Sequence, residues 1–226
     1  MKISPTEITF PSRDGLQITA DLYEANRPHG FILLCHRSHS NRAEYRDTAP
    51  RLNELGFSCL AIDQRSGMRV FGETNETNAR AKAAALPTGY LDAKWDIEAA
   101  IDHGYELHEE NQIIVLGSSY SASLALLLGT QNDRIRATIA YSPGEYLKGI
   151  DLSLELRTID KPIYVTSRRV EIEQVTDLVR NVHPSLVTHF IPTVEGFHGS
   201  KALWNKVRGH EAYWRSLEEF LLRTRR

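Results

Sequence analysis

Three short runs, "GFILLCH", "FSCLAID" and "QIIVLG", constrain the fold of this chain more than anything else in it. Each is apolar with almost no alternation. Such a run is too short for a stable helix and too apolar for a strand with one wet face, so it reads as a strand covered on both sides. Helical spacing follows each one. Tyr45, Ala49, Leu52 and Leu55 share one side, with Gly56 as a C′ residue; Leu91, Trp95, Ile97, Ala100 and Ile101 form a second stripe; "SASLALLLGTQ" forms a third helix. The alternation repeats with "RATIAYS", "PIYVTS", a helix from Ile172 to Val182 and "LVTHFIP". A last amphipathic segment carries Leu203, Trp204, Val207, Trp214, Leu217 and Phe220, with Gly209 as a possible break. Ahead of all this, "EITFPS" and "LQITADLYEA" alternate in polarity. The pattern predicts an α/β fold, with a mostly parallel central sheet flanked by helices on both faces, as a single domain over residues 1–226.

At 226 residues, such a domain buries roughly 70–75% of its unfolded surface and needs neither metal nor disulfides for stability. A net charge of −2 and scattered lysines and arginines predict no nucleic-acid partner. No apolar stretch approaches the roughly 20 residues of a membrane span and no leader-like segment opens the chain, so no membrane partner and a cytoplasmic location are expected. The basic "RTRR" at the C-terminus reads as a solvated helix end. Cys35 and Cys59, inside apolar runs, are expected to be small buried hydrophobes. Oligomeric state is left open.

In an open parallel sheet, ligands sit at the carboxyl ends of the strands. There the third apolar run delivers "GSSYS", Gly117 to Ser121, directly before a helix. One reading is a helix start with a serine N-cap. The other is a tight strand-to-helix turn presenting Ser119, with Gly117 and Ser121 small enough for the close approach such a turn requires. The helix start would then offer N–H groups to an oxyanion. A serine hydroxyl needs a base. His198, in "EGFHGS" just after the last strand, is placed to supply one. Asp63 and Arg65 are expected to tie loops together, while Asn75, Glu76 and Thr77 either border a pocket or lie on a solvated loop. His36 and His39 have no further ligand pattern around them, so no metal is expected.

"LLCHRSHSN", "AIDQRSG", "GSSYS", "PIYVTS" and "GFHGS", in this order from about Thr9 to the C-terminus, resemble an α/β-hydrolase. Within that superfamily the chain resembles the small capless serine hydrolases related to dienelactone hydrolases. The resemblance implies a serine hydrolase, carboxylesterase-like, with Ser119 as nucleophile, His198 as base and no cofactor. It implies a second oxyanion donor from the loop opened by His36. Where relatives carry His-Gly, this chain has His36-Arg37, leaving the N–H of Arg37 or Ser38 to join that of Tyr120; the Arg37 side chain is also placed to meet an anionic substrate. Dienelactone hydrolases use a cysteine nucleophile, which this elbow lacks. The aspartate expected after "PIYVTS" is replaced by Val170, so Glu171 is expected to orient His198, with Glu145 and Glu173 as alternatives. About 16 residues after "AYSPG" are too few for a full cap. Small or medium ester, lactone or thioester substrates are expected. The competing expectation is a degenerate hydrolase that only binds a ligand or partner.

Overall fold

The computed structural model describes residues 4–224. Eight strands form one sheet: β1 (Thr6–Pro11), β2 (Gln17–Tyr23), β3 (Gly30–Cys35), β4 (Phe57–Ile62), β5 (Ile113–Ser118), β6 (Ile135–Tyr141), β7 (Ile163–Thr166) and β8 (Val187–Phe190). Their spatial order is β1-β2-β4-β3-β5-β6-β7-β8. β1 and β2 pair antiparallel with each other, and β2 with β4; every other pairing is parallel. The α/β expectation therefore holds, and all eight strands fall on the runs read from the sequence.

The helices are α1 (Ala49–Glu54), α2 (Glu76–Ala83), α3 (Ala93–Leu107), α4 (Tyr120–Gly129), α5 (Leu152–Glu155), α6 (Ile172–Leu178) and α7 (His210–Arg223). Side chains alternate across a strand, so β3 feeds two cores. Phe31, Leu33 and Cys35 pack on the side of α3, α4 and α6, whereas Ile32 and Leu34 pack on the side of α1 and α7. Each fully buried Leu or Ile of this strand contributes roughly 1.5–3 kcal/mol. That is why the run has no polar residue. Cys35 and Cys59 are buried and unpaired, and burial pushes both thiols up.

Four expectations are corrected. The predicted helix over 42–55 is a 3-10 turn (Arg42–Tyr45) capped by the Asn41 side chain, followed by a separate α1 with proline in its first turn. The proline's missing N–H and fixed φ suit a helix start and not an interior. The helix from Ile172 stops at Leu178. Trp95 leaves its apolar stripe, 43% exposed, with the Arg65 guanidinium 5.6 Å from its ring. The segment from Asn75 to Thr77 is the start of α2 and no solvated loop, and of its residues Glu76 borders a small cavity with Arg42, Arg46 and Glu73. Asn75 is buried, caps α2 and donates to the Gln64 carbonyl, while Thr77 accepts the Thr19 N–H. Gly209 does divide the last segment: at φ 86° it separates a 3-10 turn (Gly199–Leu203) from α7.

Two buried arginines hold the loops at the sheet's carboxyl edge. Arg65, wholly buried, binds Asp14 and Asp96, and its pull holds the Asp14 carboxyl down at about 2. Arg42 spans Asp21 and Asp63. Among the described residues no helix is long and apolar enough to cross a membrane. Arg225 and Arg226, half of the basic C-terminal cluster, lie outside the described residues.

Candidate active site

β5 ends in a turn that packing makes unusually tight. A Cβ on Gly117 would run into the backbone of Ser121 and Ala122, so only glycine lets α4 start this close to the strand. Ser119 sits at the tip with φ 60° and ψ −126°. Non-glycine residues avoid this conformation at a cost of about 1–3 kcal/mol. The N-cap reading fails, because the Ser119 side chain caps nothing.

The hydroxyl points elsewhere. Ser119 Oγ donates to His198 Nε2 at 2.8 Å, and His198 Nδ1 donates to Glu171 Oε1 at 2.7 Å. These three residues come from the ends of β5, β7 and β8, far apart in sequence and adjacent at one edge of the sheet. Val170 is 66% exposed, and Glu171 occupies the inward position because a 3-10 turn (Arg169–Glu171) precedes α6. Glu145 is engaged elsewhere: its carboxylate accepts the N–H groups of Leu152 and Ser153 and so holds the start of α5.

Glu171 is well held. Its Oε2 accepts from Ser142 Oγ at 2.7 Å, and its Oε1 also accepts from Arg168 Nε at 2.7 Å. Burial pushes this carboxyl up, yet hydrogen bonds from His198 and Ser142 and the charge of its partners outweigh burial and bring it down to about 2. Ser142, itself at φ 54°, in turn accepts the Gly199 N–H at 3.0 Å.

Each of the three elbow serines has its own task. Ser118 Oγ accepts the Ser200 N–H at 2.9 Å, fixing the histidine loop to the elbow. Ser121 Oγ donates to the His36 carbonyl at 2.6 Å and accepts from Gln64 Nε2 at 2.6 Å, so α4 is joined to the loops after β3 and β4. Tyr120 is buried beneath the turn, stacked on Tyr90 with ring centres 4.2 Å apart.

His36 is a loop anchor. Its Nε2 accepts the Gln64 N–H at 3.0 Å and its Nδ1 donates to the Arg37 carbonyl at 2.7 Å. Burial lowers its pKa, in keeping with a neutral ring. The Arg37 N–H donates to Glu44 Oε2 at 3.3 Å and is occupied. The Arg37 carbonyl is turned to His36, and in a trans peptide the Ser38 N–H points the opposite way.

Tyr146 escaped the sequence analysis. Burial pushes its phenol up, with Ser119 close enough to pull the other way, and the residue lines a cavity of about 950 Å³ together with Gly149, Ile150 and Leu178. Ser142 and Arg168 were also missed. The only trace of them in the sequence is a hydroxyl closing "IAYS" and a cation three residues before Glu171.

The architecture defined by this sheet and its strained serine turn is that of the α/β hydrolases. Within them, the chain belongs to the family described as "Serine aminopeptidase, S33", whose pattern matches residues 26–157. The matched segment includes Ser119 and stops before Glu171 and His198. No curated protein matches the sequence. Solved structures of similar fold include an esterase from Pyrococcus furiosus (TM-score 0.74, 19% identity, 98% of this chain and 93% of that one). A dienelactone hydrolase from Anabaena variabilis is similar at TM-score 0.71 and 16% identity, covering 97% of this chain and 98% of that one. An acylaminoacyl peptidase from Pyrococcus horikoshii aligns at TM-score 0.72 and 15% identity over 97% of this chain and 41% of its own length. At these identities the likeness is one of fold, and the family match makes the chain a hydrolase.

Proposed function

We propose that this hydrolase cleaves small or medium ester-type substrates through an acyl-enzyme on Ser119. The observation that carries the reading is the chain of hydrogen bonds from a strained Ser119 through His198 to Glu171, at 2.8 and 2.7 Å. In the proposed reaction Ser119 Oγ attacks the carbonyl carbon while its proton passes to His198 Nε2. The new imidazolium is stabilised by the Glu171 carboxylate, which keeps its charge and takes no proton. The carbonyl oxygen becomes an oxyanion facing the N–H groups of Tyr120 and Ser38, the former at the unpaired start of α4. Collapse breaks the bond to the leaving oxygen, which receives the proton from His198. Water then repeats the sequence on the acyl-enzyme and frees Ser119.

The size expectation rests on the segment between β6 and β7, which forms only α5 and a short 3-10 turn. A cytoplasmic location and a small-molecule partner belong to the same proposal.

The test is labelling with a fluorescent fluorophosphonate of the wild type, Ser119→Ala and His198→Ala, with the modified peptide located by mass spectrometry. Labelling of Ser119 that is lost in both variants is expected. Folded wild-type protein that takes no label would overturn the reading in favour of a binding role. A series of nitrophenyl esters is expected to peak below about ten acyl carbons, the range a site without a cap encloses.

A further inference from the structure

Beside this site stand two cations that the proposed reaction does not use. Arg37 follows β3, and Lys201 lies in the 3-10 turn that begins one residue after His198. Both rest on one ring: Arg37 Cζ is 5.9 Å and Lys201 Nζ 4.6 Å from the centre of Phe197. Lys201 Nζ is also 4.4 Å from the ring centre of Trp204. Phe197 is the residue before His198, and Gly199, just after it, packs against Ser118 and Ser119. The pair therefore flanks the loop that carries His198 to Ser119.

Their charge is incompletely answered. Among the described residues Lys201 forms no ion pair, and its contacts are three aromatic rings. Arg37 has one carboxylate near it, Glu44, at 3.9 Å from its Nε, and that buried nitrogen donates no hydrogen bond. Glu44 already accepts the Ser200 hydroxyl at 2.6 Å and the Arg37 N–H at 3.3 Å. Burial and the proximity of Arg37 lower the Lys201 pKa against the opposing pull of Glu44. Two like charges held together over aromatic rings, with one carboxylate between them, form a standing deficit of negative charge.

We infer that Arg37 and Lys201 bind a carboxylate carried by the substrate, so that the preferred substrates are anionic esters such as half-esters of short dicarboxylic acids. The inference rests on the esterase reading above. Arginine supplies a planar fork and lysine a point charge, and the rings cover part of each cation, which strengthens the attraction for an anion. A neutral ester of the same length leaves both cations unanswered.

The experiment compares 4-nitrophenyl hemiglutarate with 4-nitrophenyl valerate, alike in acyl length and different in charge, on wild type, Arg37→Gln, Lys201→Gln and Lys201→Glu. In the wild type, kcat/KM for the anionic ester is expected to exceed that for the neutral one by about tenfold or more, mainly through KM, as a charge-assisted contact supplies. The ratio is expected to fall severalfold in each Gln variant, to invert in Lys201→Glu and to shrink with added salt. Calorimetric binding of glutarate, lost in both Gln variants, gives a readout that needs no turnover. A fluorophosphonate label on Ser119 with no ester preference and no glutarate binding would overturn the subsite alone. Glutarate binding without any label would overturn the esterase reading and keep the subsite.

Discussion

Replacing Glu171 by Gln tests the proposed chemistry most sharply, because two donors converge on Glu171 Oε1, His198 Nδ1 and Arg168 Nε, both at 2.7 Å. A glutamine amide must place its oxygen there, since its NH₂ would face two donors; the NH₂ then turns to Ser142 Oγ, which accepts the Gly199 N–H and keeps one further lone pair to accept it. The tautomer of His198 is preserved and only the charge is lost. Inverting the tautomer costs about 10⁴-fold in a serine protease. With orientation kept, we expect kcat to fall by roughly 10²-fold, and Glu171→Ala, which releases the ring altogether, to fall further. The same variant has a stability signature. The Glu171 carboxyl is lowered from an ordinary 4.5 to about 2, so its charged form stabilises the folded state. Taken whole, that shift corresponds to about 3 kcal/mol, and solvent screening around the half-exposed Arg168 reduces it to about 1–2 kcal/mol. Because the folded value lies below the unfolded one, this contribution is complete above about pH 4.5 and is lost as pH falls toward 2. Urea unfolding of both proteins between pH 3 and 7, with nitrophenyl ester kinetics at pH 7, measures both effects. Wild-type kcat in Glu171→Gln, or a stability gap that widens on acidification, would refute the reasoning.

Ser119→Gly is expected to abolish turnover and yet raise the urea midpoint by the equivalent of about 1 kcal/mol, because glycine adopts φ 60°, ψ −126° without strain. A midpoint unchanged or lowered would show that the elbow holds no strain. Arg65→Met strands the buried Asp96 without its cation and is expected to destabilise the fold by about 3–5 kcal/mol at pH 7, read by the same unfolding titration.

Much of this molecule was legible in its sequence, for identifiable reasons. The central strands could be read because they must be apolar on both faces and leave no room for alternation, whereas β1 and β2 were read from their alternating polarity. The split between Tyr45 and Ala49 could not, because a 3-10 turn and a helix put nearly the same residues on the buried side. Ser119 was marked by the smallness its turn demands, and His198 by its place after the last strand. Glu171 depended on resemblance, displaced by one residue, and the turn that swings it inward while exposing Val170 has no local signature. Ser142 and Tyr146 were hidden for a different reason: their neighbours in space lie on other strand ends, and no periodicity records such meetings.

The short segment between β6 and β7 has an evolutionary consequence. It leaves and rejoins the sheet at Tyr141 and Ile163, while Gly149 within it, at φ 81°, has open space around its Cβ direction. Extra residues spliced at that point would build a roof over the Tyr146 cavity without shifting any strand register or the contacts among Ser119, His198 and Glu171. Appetite for longer or bulkier acyl chains is thus a property this scaffold can acquire by insertion at one loop, with its reacting groups left as they are.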